Sequence, residues 1–525
     1  MEAIDALKQK VLSLAIQGKL VAQDPTDEPA SVLLEKIKAE KLELIKQGKI
    51  KKDKQESYIF RGDDNKYYEQ IGTETKDITE EIPFDIPNNW EWVRFKDLFN
   101  IVSSKRVLQS DWKMEGIPFY RAREIAKLSD FGFVKNELYI SEDLFVELSK
   151  SYLMPEENDI MVSAVGTIGK AYIVKATDRF YYKDASVLCY KNISKIIPKY
   201  VKLFMESECF VSQYSKDSGG TTVDTLTIVR ANQYLIPLPP IKEQEQIVSE
   251  IEKIFNQIEI VKENQEELNK LKDGLKNKVL DLAIQGKLVE QDPNDEPASV
   301  LLEKIKKEKA ELIKQGKIKK DKQESYIYKG TDNRHYEKIG SEVRDITDEI
   351  PFEIPNSWSW VRLSTIGNIV SGGTPKTEVN ENWENGTIPW LTPADMRYVK
   401  GKYVKHGERF ITEYGLNSSS ATMMPKNSIV YSSRAPIGYI AITENELCTN
   451  QGFKSITPYS VEFVDYLYYT LIALTDSIIS RASGTTFKEI SGSEFAKTII
   501  PLPPLSEQKR IVEKLENVFQ FIKTL

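Results

Sequence analysis

The chain of 525 residues holds 72 Lys+Arg against 79 Asp+Glu, a net charge of −7, and 40% hydrophobic side chains, enough for several packed cores and too many for bulk disorder. Three cysteines (Cys189, Cys209 and Cys448) with no C-x-x-C pair exclude a disulfide framework, and two histidines, His335 and His406, leave little for a zinc site or a histidine triad. No apolar run approaches the roughly 20 residues of a membrane span, and Met1 opens directly into a helical pattern, so a cytoplasmic protein is expected.

The first predicted element is a helix whose apolar positions Ile4, Leu7, Val11 and Leu14 alternate in steps of three and four. In the second helix Pro29 suits the first turn, Val32, Leu33, Ile37, Leu44 and Ile45 form an apolar face, and Gly48 suits the C′ position. Lys46, Lys49, Lys51, Lys52 and Lys54 crowd its far end. The stretch 14–60 then returns at 282–328 with 42 identities in 47 positions. The match loosens through EEIPFDIPNNWEWVRF and DEIPFEIPNSWSWVRL, fades, and resumes as IPLPPIKEQEQIV from Ile236 and IPLPPLSEQKRIV from Ile500. Near-identical flanks enclose two dissimilar inserts, so the flanks do one job twice and the inserts do two different jobs of one kind. A partner docked on the second helix is then docked twice, which nominates Leu33, Ile37 and Leu44, and Leu301, Ile305 and Leu312 in the second copy. A docking arm for DNA phosphate is the other functional reading, and a solvated lysine-rich face is the plainer alternative.

Each insert begins with W-x-W-V-R, at 90–94 and 358–362. Short β-rich runs follow, IPFYRAREI (117–125) and IPWLTPADM (388–396), then DIMVSAVGTIGKAYIV (159–174) and SIVYSSRAPIGYIAIT (428–443). Helical patterns at 201–214 and 461–479, a Gly-Thr-Thr loop at 220–222 and 484–486, and a strand ending in IPLPP complete each insert. Between the inserts runs a heptad seam of Ile247, Ile251, Ile254, Ile258, Val261, Gln265, Leu268, Lys272, Leu275, Val279 and Leu282. It recurs at the end as Ile511, Leu515, Val518, Ile522 and Leu525. Taken cyclically, the two termini rebuild a second copy of the central helix, antiparallel to it; a homodimer seam is the alternative. The expected fold class is α+β: two α/β inserts separated by a long antiparallel helical coiled coil, with circular pseudo-two-fold symmetry. The expected boundaries are 1–54 (helical), 55–89 (connecting arm), 90–240 (first insert), 241–322 (central helical region), 323–357 (arm), 358–504 (second insert) and 505–525 (C-terminal helix).

The order of inserts and helical repeats, with W-x-W-V-R starts, G-T-T loops and IPLPP-x-x-E-Q hinges, resembles the specificity subunit of type I restriction-modification systems over essentially the whole chain. The resemblance implies two target recognition domains, each reading half of a bipartite double-stranded DNA site. It also implies helices that space the readers and bind two adenine methyltransferase subunits, with restriction-translocase subunits joining for cleavage. The chain itself then needs no cofactor; its partners use S-adenosylmethionine, ATP and magnesium. A specificity subunit of another multi-subunit restriction-modification type, or a coiled-coil scaffold with two non-DNA ligand-binding inserts, are the alternatives. Two features depart from the family pattern. The second insert has SGGTPKT at 371–377 where the first has SSKRVLQ at 103–109, and the arm before Trp90 is long.

The residues agree with a reader that performs no catalysis, since neither an NPPF or DPPY methyltransferase tetrapeptide nor a G-x-x-x-x-G-K-[ST] loop occurs. The segments 88–235 (20 basic, 19 acidic) and 356–499 (13 and 13) are about neutral, so nucleic-acid contact rests on local patches. The candidates are Lys105, Arg106, Arg121, Arg123, Lys170, Thr221 and Thr222 in the first insert. In the second they are Thr374, Lys376, Arg397, Arg434, Asn450, Gln451, Thr485, Thr486 and Lys488. Arginine suits guanine edges, Asn or Gln adenine edges, and Thr hydroxyls phosphates or bases. No metal ligand set is expected. The histidines are expected to be exposed bystanders and the cysteines to be core.

Overall fold

The computed structural model describes residues 2–50, 52, 56–216, 225–320, 324–484 and 488–525. The chain forms two compact units, Met1–Asn264 and Gln265–Leu525. Helix Ile241–Ile284 is continuous and supplies its first part to one unit and its second part to the other.

In the first unit, helix Glu2–Ile16 runs antiparallel to the start of Ile241–Ile284. Lys8 lies 3.7 Å from Glu259, while Gln23, further along, bonds Glu243. Val11, Leu12, Ala15 and Ile16 meet Ile247, Val248 and Ile251 in a core that continues into the insert through Phe95, Tyr190 and Phe204. The second unit repeats this: Leu505–Thr524 buries Ile511 and Leu515 against Val279, Leu280 and Ile284. The seam is dry at both ends of the central helix and lapses in the middle, where Val261 is 64% and Leu275 44% exposed.

Both helices that precede the arms end in Schellman turns: Lys49 N–H donates to Leu44 O and Gly48 N–H to Ile45 O, both at 3.0 Å, with Gly48 at φ +69°. Gly18 is constrained twice. Its φ is +67°, and a Cβ there would lie 2.4 Å from Pro87 Cγ. Its counterpart Gly286 meets Pro355 in the same way, at 2.5 Å.

The segments expected as connecting arms hold small antiparallel sheets, Ser57–Arg61, Tyr67–Ile71 and Glu74–Asp77 in one unit and Ser325–Lys329, His335–Ile339 and Glu342–Asp345 in the other. Each insert is tied shut at its base. Glu91–Arg94 pairs antiparallel with Leu235–Leu238, and Ser359–Arg362 with Ile499–Leu502. An insert's two ends therefore leave the frame side by side.

The first insert contains a four-stranded sheet in the order 100–102, 187–191, 160–163, 171–173, and a three-stranded one in the order 181–182, 117–120, 139–140. The second contains the same two sheets, 367–371, 454–458, 429–433, 437–443 with 403–404 added, and 409–411, 388–391, 448–449. Together these elements form the mixed helix-and-sheet fold expected. The run 117–125 is only partly β: the strand stops at Tyr120 and helix Ala122–Phe131 follows. Its start is fixed by Glu124, whose carboxylate accepts from Arg121 N–H at 3.0 Å, and its end by Gly132 at φ +73°.

Candidate nucleic-acid interface

The W-x-W-V-R motifs are clasps of the frame. Trp90 Nε1–H donates to Glu243 Oε2 at 2.8 Å and Trp358 Nε1–H to Glu507 Oε2 at 2.8 Å; Gln23 and Gln291 bond the second oxygens. Both glutamates come from the IPLPP-x-x-E-Q hinges, so each hinge is locked to the start of its own insert. Arg94 meets Glu69 (Nη2 to Oε2, 2.6 Å) and Glu81 (2.9 Å), and Arg362 meets Glu337 (2.7 Å) and Glu349 (2.8 Å). These pairs fasten each small sheet to its insert's first strand.

Their electrostatics fix a pH dependence. Burial opposes ionisation of Glu69 and Glu337, but the bonds and charge of Arg94 and Arg362 outweigh it and hold both carboxyls below the ordinary 4.5. A depressed carboxyl contributes stability that is present above its unfolded value and lost as pH falls through the lowered native one. Burial raises Glu243 and Glu507 instead, despite their bonds to tryptophan and glutamine, so they act in the opposite sense at higher pH. Below pH 4.5 the melting temperature of the wild type should fall steeply, and that of Glu69→Gln/Glu337→Gln less so. Parallel curves would mean these pairs carry no linkage.

In the first insert, the loop after strand Asn100–Val102 lies against residues 181–185. Lys105 N–H donates to Tyr181 Oη at 3.0 Å, and Ala185 N–H to Ser103 Oγ at 3.4 Å. Lys105 and Arg106 are exposed there, with the Lys105 ammonium 5.6 Å from the Tyr152 ring centre. Lys183 N–H bonds Tyr120 O at 2.8 Å, which brings Arg121 to the same edge. Arg121 and Arg123 are not free forks. Arg121 Nε and Nη2 donate to Glu124 at 3.0 and 2.9 Å, and Arg123 donates to Glu124 and Glu137. Glu124 is buried, and the two guanidiniums overcome its desolvation and keep its carboxyl low. Lys170 pairs with Asp130 at 2.6 Å.

In the second insert the geometry gathers residues that are distant in sequence. A Cβ at Gly372 would lie 1.9 Å from Asn450 O, and one at Gly373 2.3 Å from Ala421 N, so only glycine lets this loop reach the sheet end. Thr374 Oγ1–H then donates to Gln451 Oε1. Asn450 Oδ1 accepts from Gly452 N–H at 2.8 Å. Lys454 Nζ donates to Gln451 O at 3.2 Å and to Glu489 at 3.4 Å, and Glu489 lies 3.8 Å from Arg434. Thr374, Asn450, Gln451 and Arg434 thus form one polar cluster with Lys454 and Glu489, two residues the sequence had not singled out. Their signal was position: Lys454 follows Gln451 by three residues, and Glu489 follows Lys488. Lys376, Arg397 and Lys488 are exposed, and among the described residues none of them is bonded to the cluster. Thr221, Thr222, Thr485 and Thr486 lie outside the described residues.

Three expected partner contacts are corrected. Ile37, Leu301 and Ile305 are 2%, 4% and 1% exposed, because the apolar face of each second helix is taken up by the core of its own unit. Leu33, Leu44 and Leu312 are half-buried. Lys46, Lys49 and Lys52 are exposed; Lys51 and Lys54 lie outside the described residues. His335 is not an exposed bystander either: it is 6% exposed on the inner face of its small sheet, and burial lowers its pKa, whereas His406 is exposed. Cys189 and Cys448 are buried and Cys209 half-buried. Among the described residues no group of His, Cys, Asp and Glu is placed to hold a metal ion, and no helix is long and apolar enough to cross a membrane.

Comparison with known proteins places this architecture. Residues 87–270 and 355–525 match the family described as type I restriction modification DNA specificity domain. The chain is 28% identical to the type I restriction enzyme EcoAI specificity subunit of Escherichia coli in a 582-residue alignment covering 98% of this chain and 89% of that protein. It is 40% identical over 165 residues to the MjaIX specificity subunit of Methanocaldococcus jannaschii, covering 31% of this chain and 38% of that one. A chain in a solved type I R-M system, studied for complex assembly and conformational transition, shares the fold with a TM-score of 0.51 at 18% identity, covering 84% of this chain and 93% of that one. Two matched segments, the first covering one insert and the start of the central helix and the second covering the other insert and the C-terminal helix, put the chain in the type I restriction-modification DNA specificity family, as a DNA-sequence-recognition subunit.

Proposed function

We propose that each insert reads one half of a bipartite DNA site, and that the duplicated frame presents the two readers to two copies of an adenine methyltransferase subunit, with restriction-translocase subunits joining for cleavage. The chain contributes recognition, and methyl transfer and ATP-driven cleavage belong to its partners. The observation that carries this reading is the contrast between flanks repeated with 42 identities in 47 positions and inserts of one fold with dissimilar sequence. In the second insert the reading surface is the Thr374–Asn450–Gln451–Arg434 cluster, with Arg397, Lys376 and Lys488 at its margin. In the first it is the edge formed by Lys105, Arg106, Arg123 and Lys170. Thr221, Thr222, Thr485 and Thr486, outside the described residues, stay candidates for DNA contact in this reading. Arg121 is the weakest base reader of the set, since its guanidinium would have to give up two bonds to buried Glu124 to reach a base. Half-buried Leu33, Leu44, Leu312 and the lysines beyond them remain for docking.

Because the two ends of each insert are paired strands, residues 90–235 form an exchangeable cassette. Replacing them with the corresponding block of another specificity subunit should change one half of the methylated site and leave the other half unchanged. Mapping methylated adenines in cells carrying the exchanged chain and its methyltransferase checks this. A change in both halves would end the modular reading.

A further inference from the structure

Three large aromatic side chains stand in solvent at one topological position of the two inserts. Helix Ala122–Phe131 lays Ile125 and Leu128 on Met161 and Tyr172 of the first insert's sheet, and its tip carries Phe131 and Phe133, 69% and 73% exposed, on either side of Gly132. The corresponding connection in the second insert is the short turn Asp395–Tyr398. It lays Met396 on Val430 and Ala441 of the equivalent strands and carries Tyr398, 83% exposed. One connection is a ten-residue helix and the other a four-residue turn, and they share little sequence. What they have in common is a core residue on the sheet and an aromatic ring held outward.

Both tips adjoin the proposed reading surface. The Asp130–Lys170 pair, 2.6 Å, ties the first tip to the 166–170 loop. In the second, Pro393 lies so close to Gly452 that a Cβ there would be 2.9 Å from it, one turn before Tyr398 and beside Asn450 and Gln451. Cations flank both tips: Lys127 and Lys135 at the first, Arg397 and Lys400 at the second, all exposed and none in an ion pair among the described residues. An apolar ring between unpaired cations complements a duplex, with phosphates outside and a stacked base step within.

We propose that Phe131 with Phe133, and Tyr398, are wedges that enter a base step of bound DNA and kink it, adding readout of duplex deformability to the polar contacts. This rests on the DNA-reading function proposed above. The test uses the full chain and an end-labelled duplex recovered from a randomised pool by selection on the wild type, read by energy transfer between the duplex ends and by affinity across a salt series. Phe131→Ala/Phe133→Ala and Tyr398→Ala should each straighten the bound duplex and weaken binding roughly ten- to hundredfold, with the salt slope unchanged because no phosphate contact is lost. Phe131→Leu/Phe133→Leu, which keeps an apolar wedge, should restore most of the kink. A wild-type complex with a straight duplex, or alanine variants with the same kink, overturns the wedges alone. Weakening that comes with a shallower salt slope and no change of shape overturns them too, as it makes the tips backbone contacts. A wild type that selects no duplex overturns the reading function and the wedges with it.

Discussion

Inserting four residues after Glu266 should lengthen the unread spacer of the DNA site by one or two base pairs and leave both half-site sequences as they were. Helix Ile241–Ile284 has 44 residues, about 66 Å at 1.5 Å each, and is the only direct covalent connection from the first insert to the second unit. Four residues add about 6 Å and about one turn, so the faces on either side keep nearly the same azimuth while the heptad takes a stutter. Base pairs rise about 3.4 Å, which converts the added length into that spacer change. Glu266 lies in the stretch where the seam is exposed, so no core layer of either unit is broken. Methylation mapping reads the outcome, and an unchanged spacer at full activity would mean that the helix does not set the distance.

The second large effect is on stability. Arg94→Ala removes the partner of Glu69 while Glu69 stays buried, the Arg94 and Glu69 side chains being 6% and 4% exposed. Breaking a buried pair from one side costs about 3–5 kcal/mol. Urea unfolding of the variant should show a first transition displaced by that amount, with the second unit, which keeps its own Arg362–Glu337 pair, unaffected. Arg94→Met/Glu69→Leu, which strands no buried carboxylate because the remaining Glu81 is 38% exposed and keeps Lys76, should regain most of the loss. Equal destabilisation by the single and double variants would show that packing, not the stranded carboxylate, carries the cost.

The frame was legible because it is written twice. Pro29, Gly48 and the heptad positions each have a counterpart in the second copy, and a repeated local signal stands out from chance. The sheets at 57–77 and 325–345 were not legible as sheets. Their third strands, Glu74–Asp77 and Glu342–Asp345, are exposed at every residue and carry no alternating pattern, since they cover an edge and bury nothing. His335 was misjudged for the same reason: its inward face appears only once it is seen to alternate with Tyr336 and share a side with Glu337. Helix Ala122–Phe131 was hidden behind the β-rich IPFY before it. The charges of Arg121 and Arg123 invited a base-reading role that their pairing to Glu124 qualifies. Within the second insert the sequence names Thr374 and Gln451 separately, but their contact spans 77 residues and no sequence spacing encodes it.

The central claim, two independent readers on one duplicated frame, is tested most directly by mapping methylated adenines in DNA from cells that express this chain with its methyltransferase, beside cells that express the methyltransferase alone. The account predicts a two-part motif with a fixed unread gap, present only when the chain is. A single continuous motif, or methylation at the same sites without the chain, would contradict it.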